Sequence, residues 1–252
     1  LINKQIFLIN VPLIGYFQIK NLFMAVLAAS YCGINLKKIF RSIHKIKPVQ
    51  GRLELVTNLK NNSKIIVDFS HTPDALKQSL IAIKKQFNKN IILVFGCGGD
   101  RDKKKRITMG RIAQNYCRKI FVTDDNPRNE NPEIIRNTIL KGCRKLGVGI
   151  GSREVAIKTA IKELQPNEIL LIAGKGHEVT QNYGSKIINF SDKNVIKKVI
   201  IVMIIQIWLL CIILACLQTY MLDIENMLRA IKLISCSVIL FILCMFINRY
   251  NF

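Results

Sequence analysis

The chain has 252 residues, with 38 Lys plus Arg against 16 Asp plus Glu and half of its residues hydrophobic. That length gives one large domain or two small ones an apolar core without disulfide or metal staples, and it excludes a disordered polymer. The net charge of +22 suits an acidic partner such as a phosphorylated or carboxylated substrate or an anionic membrane face, whereas lysines scattered among Ile and Asn, with no arginine-rich stripe, argue against nucleic acid.

The first residues, Leu1 to Pro12, carry no initiating Met and no charged segment ahead of a short apolar stretch, so they read as the interior of something longer. Leu22, Ala25, Val26, Leu27 and Ala29 form a helical apolar stripe that stops at Gly33, a natural left-handed residue. A second helix is expected over Leu36 to Ile46, with Pro48 and Gly51 marking the break after it. From Leu53 the pattern becomes short β-branched runs alternating with amphipathic helices, as in βα units on a mostly parallel sheet. Strands are expected at Lys64 to Phe69, Ile91 to Phe95, Ile120 to Thr123 and Ile169 to Ile172. Helices start at Thr72-Pro73, at Asn131-Pro132, near Ser152 and after Ser191. The expected fold class is therefore α/β, a Rossmann-like mostly parallel sheet of about 150 residues, with a helical opening and an apolar helical tail.

All but three of the basic and two of the acidic residues precede Val199. Val199 to Leu217 has Gln206 as its only strongly polar member and approaches the roughly 20 residues that span a bilayer. Leu233 to Ile247 is a shorter apolar run. Lys197 and Lys198 before the first run and Arg249 after the second, with Asp223 and Glu225 between them, favour a hairpin with both ends in the cytoplasm. Two other readings stay open: a fused or out-of-frame extension, and a buried helical pair. The eight cysteines contain no C-x-x-C, and three histidines do not complete a zinc cluster, so free thiols in a reducing cytoplasm and no metal are expected.

Chemistry concentrates just after the strands. Gly96-Cys97-Gly98-Gly99-Asp100-Arg101-Asp102 lets backbone N–H groups approach an anion and adds a guanidinium fork, but it lacks Walker A spacing. Thr123-Asp124-Asp125-Asn126-Pro127-Arg128 repeats the design with a second arginine, against the alternative of an ordinary Asp/Asn/Pro turn. Ala173-Gly174-Lys175-Gly176-His177-Glu178 reads as a glycine-flanked lysine in a flexible turn, or as a loop whose Glu178 takes a substrate ammonium. Two arginines and a glutamate around one crevice suit a zwitterion with more than one carboxylate. Upstream, Asp68-Phe69-Ser70-His71-Thr72-Pro73-Asp74 offers Asp68 to a ribose hydroxyl, with Arg52 in reach of the same sugar; His71 reads equally well as a core residue, and Thr72 as a helix cap.

These four motifs, in this order, closely resemble the C-terminal domain of Mur ligases of the type that adds meso-diaminopimelate to the peptidoglycan stem peptide. The resemblance covers roughly Leu8 to Lys198. It implies residues 1–47 as the end of a central ATPase domain, 48–198 as the amino-acid-binding C-terminal domain, and 199–252 as a hydrophobic tail. It implies diaminopimelate held by Arg101, Asp125, Asn126, Pro127, Arg128, Gly174 and Glu178, and the adenine nucleotide touched by Asn21, Arg52 and Asp68. Gln18 stands where the family usually has asparagine. The implied reaction is ATP-dependent amide ligation to UDP-N-acetylmuramoyl-L-alanyl-D-glutamate through an acyl phosphate, with Mg2+, in the cytoplasm. The family's uridine-nucleotide domain, its G-T-N-G-K-T loop, its magnesium ligands and its modified lysine are not among these 252 residues. The expectation is a chain unable to complete catalysis alone, served by a separate polypeptide or a longer gene product, or else a noncatalytic remnant, membrane-tethered in one form, that keeps the binding fold.

Overall fold

Two runs with no polar residue, Ile91–Phe95 and Ile169–Ala173, are buried along their whole length, as strands covered on both faces must be. In the computed structural model, which describes residues 9–220, 231 and 234–238, they lie side by side at the centre of a six-stranded sheet. The strands are β1 (Glu54–Asn58), β2 (Lys64–Asp68), β3 (Ile91–Phe95), β4 (Lys119–Val122), β5 (Gly147–Gly149) and β6 (Ile169–Ala173), in the order β1-β2-β6-β3-β4-β5. All pairings are parallel except β1 with β2. A two-stranded antiparallel hairpin, β7 (Thr180–Asn182) and β8 (Ile187–Asn189), follows the sheet.

The helices are α1 (Tyr16–Tyr31), α2 (Leu36–Ile43), α3 (Pro73–Phe87), α4 (Lys104–Tyr116), α5 (Pro132–Cys143), α6 (Arg153–Lys162) and α7 (Asp192–Tyr220). Three start where expected because a side-chain oxygen takes an otherwise unpaired first-turn N–H: Thr72 from Ala75, Asn131 from Glu133 and Ile134, and Ser152 from Val155. The period of two along each strand sorts the core. Ile66, Leu93, Phe95, Ile120, Val122, Leu171 and Ala173 pack with Leu76, Leu80 and Ile83 of α3, Met109 of α4 and Ile135 and Ile139 of α5. The alternate residues Ile92, Val94, Phe121, Leu170 and Ile172 are just as buried, and α6 packs against β3, β4 and β6. Cys97, Cys117 and Cys143 are buried free thiols, and burial pushes Cys97 and Cys143 up to about 12.

The expected α/β architecture is the one found. Strand and helix ends shift by one to three residues: α2 stops at Ile43 and β4 starts at Lys119. Sequence patterning passed over β1, β5, the hairpin and α4. β5 is Gly-Val-Gly and β7 is Thr-Gln-Asn, which carry no run of β-branched residues, and α4 opens on Lys-Lys-Arg.

The chain divides into two compact units, residues 1–196 and 197–252. In the second, α7 continues as an apolar helix. Over Asp192–Leu217 it is the one helix among the described residues long and apolar enough to cross a membrane. Its Ile201, Val202, Leu209, Leu210, Ile213 and Leu214 are exposed. Of the second expected apolar run, Leu233 to Ile247, only Ile234–Val238 fall within the described residues, while Asp223, Glu225 and Arg249 lie outside them.

Candidate functional site

Parallel register brings the motif-bearing loops together. Asp68 at the end of β2 pairs with Ala173 at the end of β6, and Phe95 at the end of β3 pairs with Val122 at the end of β4. The four loops that follow therefore leave from one edge of the sheet. Because β6 is inserted between β2 and β3, that edge includes the reversal of strand order at which open α/β sheets form their binding crevices.

Asn126 ties the loops. Its side-chain amide donates to Glu178 Oε2 at 3.1 Å and accepts from Lys175 Nζ at 3.1 Å and from the Asn182 N–H at 3.0 Å. Its backbone carbonyl accepts from the Gly99 N–H at 2.9 Å. Lys175, completely buried, also reaches Glu178 Oε2 at 2.9 Å. The close fit explains two glycines: a Cβ on Gly99 would lie 1.9 Å from the Pro127 carbonyl oxygen, and Gly174, at φ +111°, has Asp125 Oδ2 2.7 Å from where its Cβ would be.

Both arginines approach Gly98, Arg128 with its guanidinium and Arg101 with the stem of its side chain. Gly98 lies between them, with Arg128 NH1 2.9 Å and Arg101 Cγ 3.8 Å from its would-be Cβ. Arg128 spends NH1 on the Gly99 carbonyl at 2.7 Å, and among the described residues its Nε and NH2 find no acceptor. Arg101 is exposed and makes no hydrogen bond or ion pair with the described residues. Asp125 is buried, and its carboxylate accepts no hydrogen bond among the described residues. Burial pushes the Glu178 carboxyl up, but the Lys175 ammonium, the Asn126 amide and the charge of Arg153 outweigh it, so Glu178 stays below the usual carboxylate range. Among the described residues its Oε1 accepts no hydrogen bond. The arrangement offers two guanidinium groups to carboxylates and one carboxylate oxygen to an ammonium.

Residues Asn21, Arg52 and Asp68 are less alike. Arg52 lies over the Phe69 ring at 4.6 Å, and His71 and His177 flank the same ring. Asp68 is buried with its oxygens engaged: Oδ1 accepts from the Leu53 N–H at 2.9 Å, and Oδ2 from the hydroxyls of Ser70 and Ser79, both at 2.6 Å. Asn21 is exposed on α1 and makes no side-chain hydrogen bond. Gln18, one turn earlier, donates to the carbonyls of Ile14 and Arg52 at 2.9 and 3.0 Å, so it anchors α1 to the segment leading into β1.

Several supporting residues escaped the sequence. Glu130 receives both terminal nitrogens of the buried Arg106 at 3.0 and 2.9 Å and the Asp100 N–H at 2.6 Å, which pins the arginine-bearing loop. The hairpin clasps the other side: Asn182 accepts the Arg128 N–H at 3.0 Å, Gln181 donates to the Asp124 carbonyl at 3.1 Å, and Tyr183 donates to Asp124 Oδ2 at 3.2 Å. Arg136 ion-pairs with the other Asp124 oxygen. Burial raises the Asp124 carboxyl against these donors, and burial beside Asp124 raises Tyr183 to about 12. Arg106 stood in a noticed motif; Glu130 and Gln181 had no local signal, because their partners lie 24 and 57 residues away in sequence.

Comparison with known proteins gives consistent relationships. The family model for the Mur ligase glutamate ligase domain matches residues 51–176. A UDP-N-acetylmuramoyl-L-alanyl-D-glutamate--2,6-diaminopimelate ligase from Rickettsia montanensis is 43% identical over 199 residues, 78% of this chain and 41% of the relative. The enzyme of the same name from Rhizobium meliloti is 42% identical over 78% of this chain and 40% of its own length. A solved structure of a ligase of that name superposes with a TM-score of 0.61 at 34% identity, covering 78% of this chain and 41% of the other. The UDP-N-acetylmuramate-alanine ligase of Thermotoga maritima, 18% identical with a TM-score of 0.52 over 68% of this chain and 37% of its own, shares the fold. The chain thus spans about two fifths of the length of these relatives.

The Arg106 hydrogen bonds hold Glu130 at about 2, below its ordinary 4.5. A depressed carboxyl contributes stability that is complete above its unfolded value and is lost as pH falls through the folded one. Glu130→Gln should therefore lower the urea midpoint at pH 7, and the gap to wild type should close between about pH 4.5 and 2. A gap constant across that window would contradict the assignment.

Proposed function

We propose a function from one premise: this chain belongs to the Mur ligase family. Residues 48–198 are the amino-acid-binding C-terminal domain, residues 1–47 the end of a central ATPase domain, and residues 199–252 a hydrophobic tail. The activity served is peptidoglycan precursor synthesis in the cytoplasm, the ATP-dependent joining of meso-diaminopimelate to the D-glutamate carboxylate of UDP-N-acetylmuramoyl-L-alanyl-D-glutamate. This chain's part is to select and orient the diaminopimelate.

The observation that carries the reading is the separation of charge across the knot at Asn126. Arg101 and Arg128, on either side of Gly98, take a carboxylate of the ligand, with the free Nε and NH2 of Arg128 as a planar fork. Glu178 Oε1 takes an ammonium, and Asp125, Asn126, Pro127 and Gly174 line the space between. Lysine lacks the distal carboxylate, so its binding leaves a desolvated guanidinium without a partner. The adenine nucleotide is assigned to the surface of Asn21 and Arg52, with Asp68 bracing it through Leu53, Ser70 and Ser79.

A magnesium triphosphate does not fit the residues present. These 252 residues hold no G-x-x-x-x-G-K-[ST] loop, and among the described residues no His, Cys, Asp and Glu cluster could hold a metal. No phosphoryl step is assigned to them; a phosphate loop and metal ligands on a separate polypeptide or a longer gene product complete the enzyme. The apolar helix over Asp192–Leu217, exposed from Ile201 on, attaches the protein to a membrane.

Calorimetry on the 252-residue chain should give meso-diaminopimelate a preference over L-lysine of at least about tenfold, or about 1.4 kcal/mol. Arg128→Lys should erase the preference, and Glu178→Gln should weaken both ligands; equal affinity of the two for wild type would remove the role given to Arg128. Mixed with ATP and the UDP-muramoyl dipeptide, these residues alone should release no product. In fractionation the protein should pellet with membranes and need detergent for release, and recovery in the high-speed supernatant would overturn the membrane reading.

A further inference from the structure

Arg153, the first residue of α6, is completely buried, and so is Asp192, the first residue of α7. Arg153 donates from Nε to Asp192 Oδ1 at 2.7 Å and from NH2 to Asp192 Oδ2 at 2.8 Å. NH2 also donates to the carbonyl of Ala173, the last residue of β6, at 3.0 Å. NH1 is buried with no hydrogen-bond partner among the described residues. An ion pair taken this far out of water is a poor source of net stability, because apolar residues of the same volume fill such space as well or better. The pair invites an explanation in what lies next to it. The carbonyl it grips is followed directly by Gly174, at φ +111°, where the chain turns into the loop carrying Lys175 and Glu178. The charge of Arg153 acts through space on Glu178 and on Asp125.

We propose that Arg153 is a positioning residue for the Glu178 pocket: clamped by Asp192, it grips the end of β6 and sets a fixed positive charge behind the loop that presents the Glu178 carboxylate to a ligand ammonium. The ammonium's role rests on the function proposed above; the alignment and the charge do not. The charged groups acting on Glu178 are Lys175 on its own loop and Arg153 on α6; Arg153 is itself paired with Asp192 on α7 and acts on Asp125 on the β4 loop. Asn126 adds a neutral donor. Lys175 supplies the contact charge. Arg153 supplies a second charge that does not compete for Oε1.

The test needs no ligand. The full chain, in detergent micelles, is labelled with 13C at the glutamate side-chain carboxyls, and Glu178→Gln identifies the Glu178 resonance among the eight glutamates. Its titration midpoint in wild type should lie below the ordinary 4.5. Arg153→Gln should move that midpoint up, Arg153→Lys should restore it most of the way, and Asp192→Asn, which removes a nearby anion and leaves the guanidinium, should move it down. Both Arg153→Gln and Asp192→Asn lose thermal stability, so a purely structural role predicts shifts of the same sign. Opposite shifts support the proposal; an unmoved midpoint in Arg153→Gln, or shifts of one sign, overturns it. If Arg153→Gln does not fold, the downward shift in Asp192→Asn against the near-wild-type Arg153→Lys decides. A wild-type chain that binds no diaminopimelate but obeys this pattern would refute the proposed function and leave the positioning role standing.

Discussion

One amide does the joining in this protein. Asn126 uses its donor on Glu178, its acceptor on Lys175 and the Asn182 N–H, and its backbone carbonyl on Gly99. It meets the loops after β3 and β6 and the hairpin at one point, alongside the Arg128, Gln181 and Tyr183 hydrogen bonds that also join them. With it, their relative positions are fixed by hydrogen bonds whose polar atoms are largely withdrawn from water, where a missing partner costs about 1–3 kcal/mol. Such a network is rigid only while its members are satisfied. The tight glycines belong to the same constraint, since a side chain on Gly99 would push the Pro127 carbonyl, and with it Asn126, out of register.

The network also sorts charge. Behind the knot lie Lys175, Arg153 and Asp192, all completely buried, with the cations bonded to carboxylates. In front, Arg101 and Arg128 keep guanidinium nitrogens unspent and Glu178 keeps one oxygen unspent. A solvated surface pair would be worth little; here the groups behind are committed, and those in front are held in place by them. The selectivity proposed for a ligand with two carboxylates follows from this layout and not from the overall excess of lysine, most of which decorates the helices.

The sequence was most informative where chemistry is local. Thr72, Asn131 and Ser152 announce helices because a cap acts within three residues, and the apolar runs of β3 and β6 announce buried parallel strands. The site motifs were legible because each crowds glycine, arginine and carboxylate into a few positions after a strand. Long-range partners were not legible. Lys175 read as a flexible turn although it is fully buried, since its partner Asn126 is 49 residues away. Arg153 read as the start of a helix, and its partner Asp192 is 39 residues away. Asp68 read as a ribose ligand, and the bonds its oxygens accept from Leu53, Ser70 and Ser79 were not legible beside that reading. The hairpin was missed because Thr-Gln-Asn acquires strand character only through its pairing with Ile187–Asn189.

A crystal structure of the 252-residue chain with meso-diaminopimelate tests the central claim most directly. The account predicts one ligand carboxylate on the Nε and NH2 of Arg128 with Arg101 beside it, an ammonium on Glu178 Oε1, and the Asn126 hydrogen bonds unchanged. Density for the ligand elsewhere, or a Glu178 carboxylate turned away from it with Asn126 released, would contradict the account.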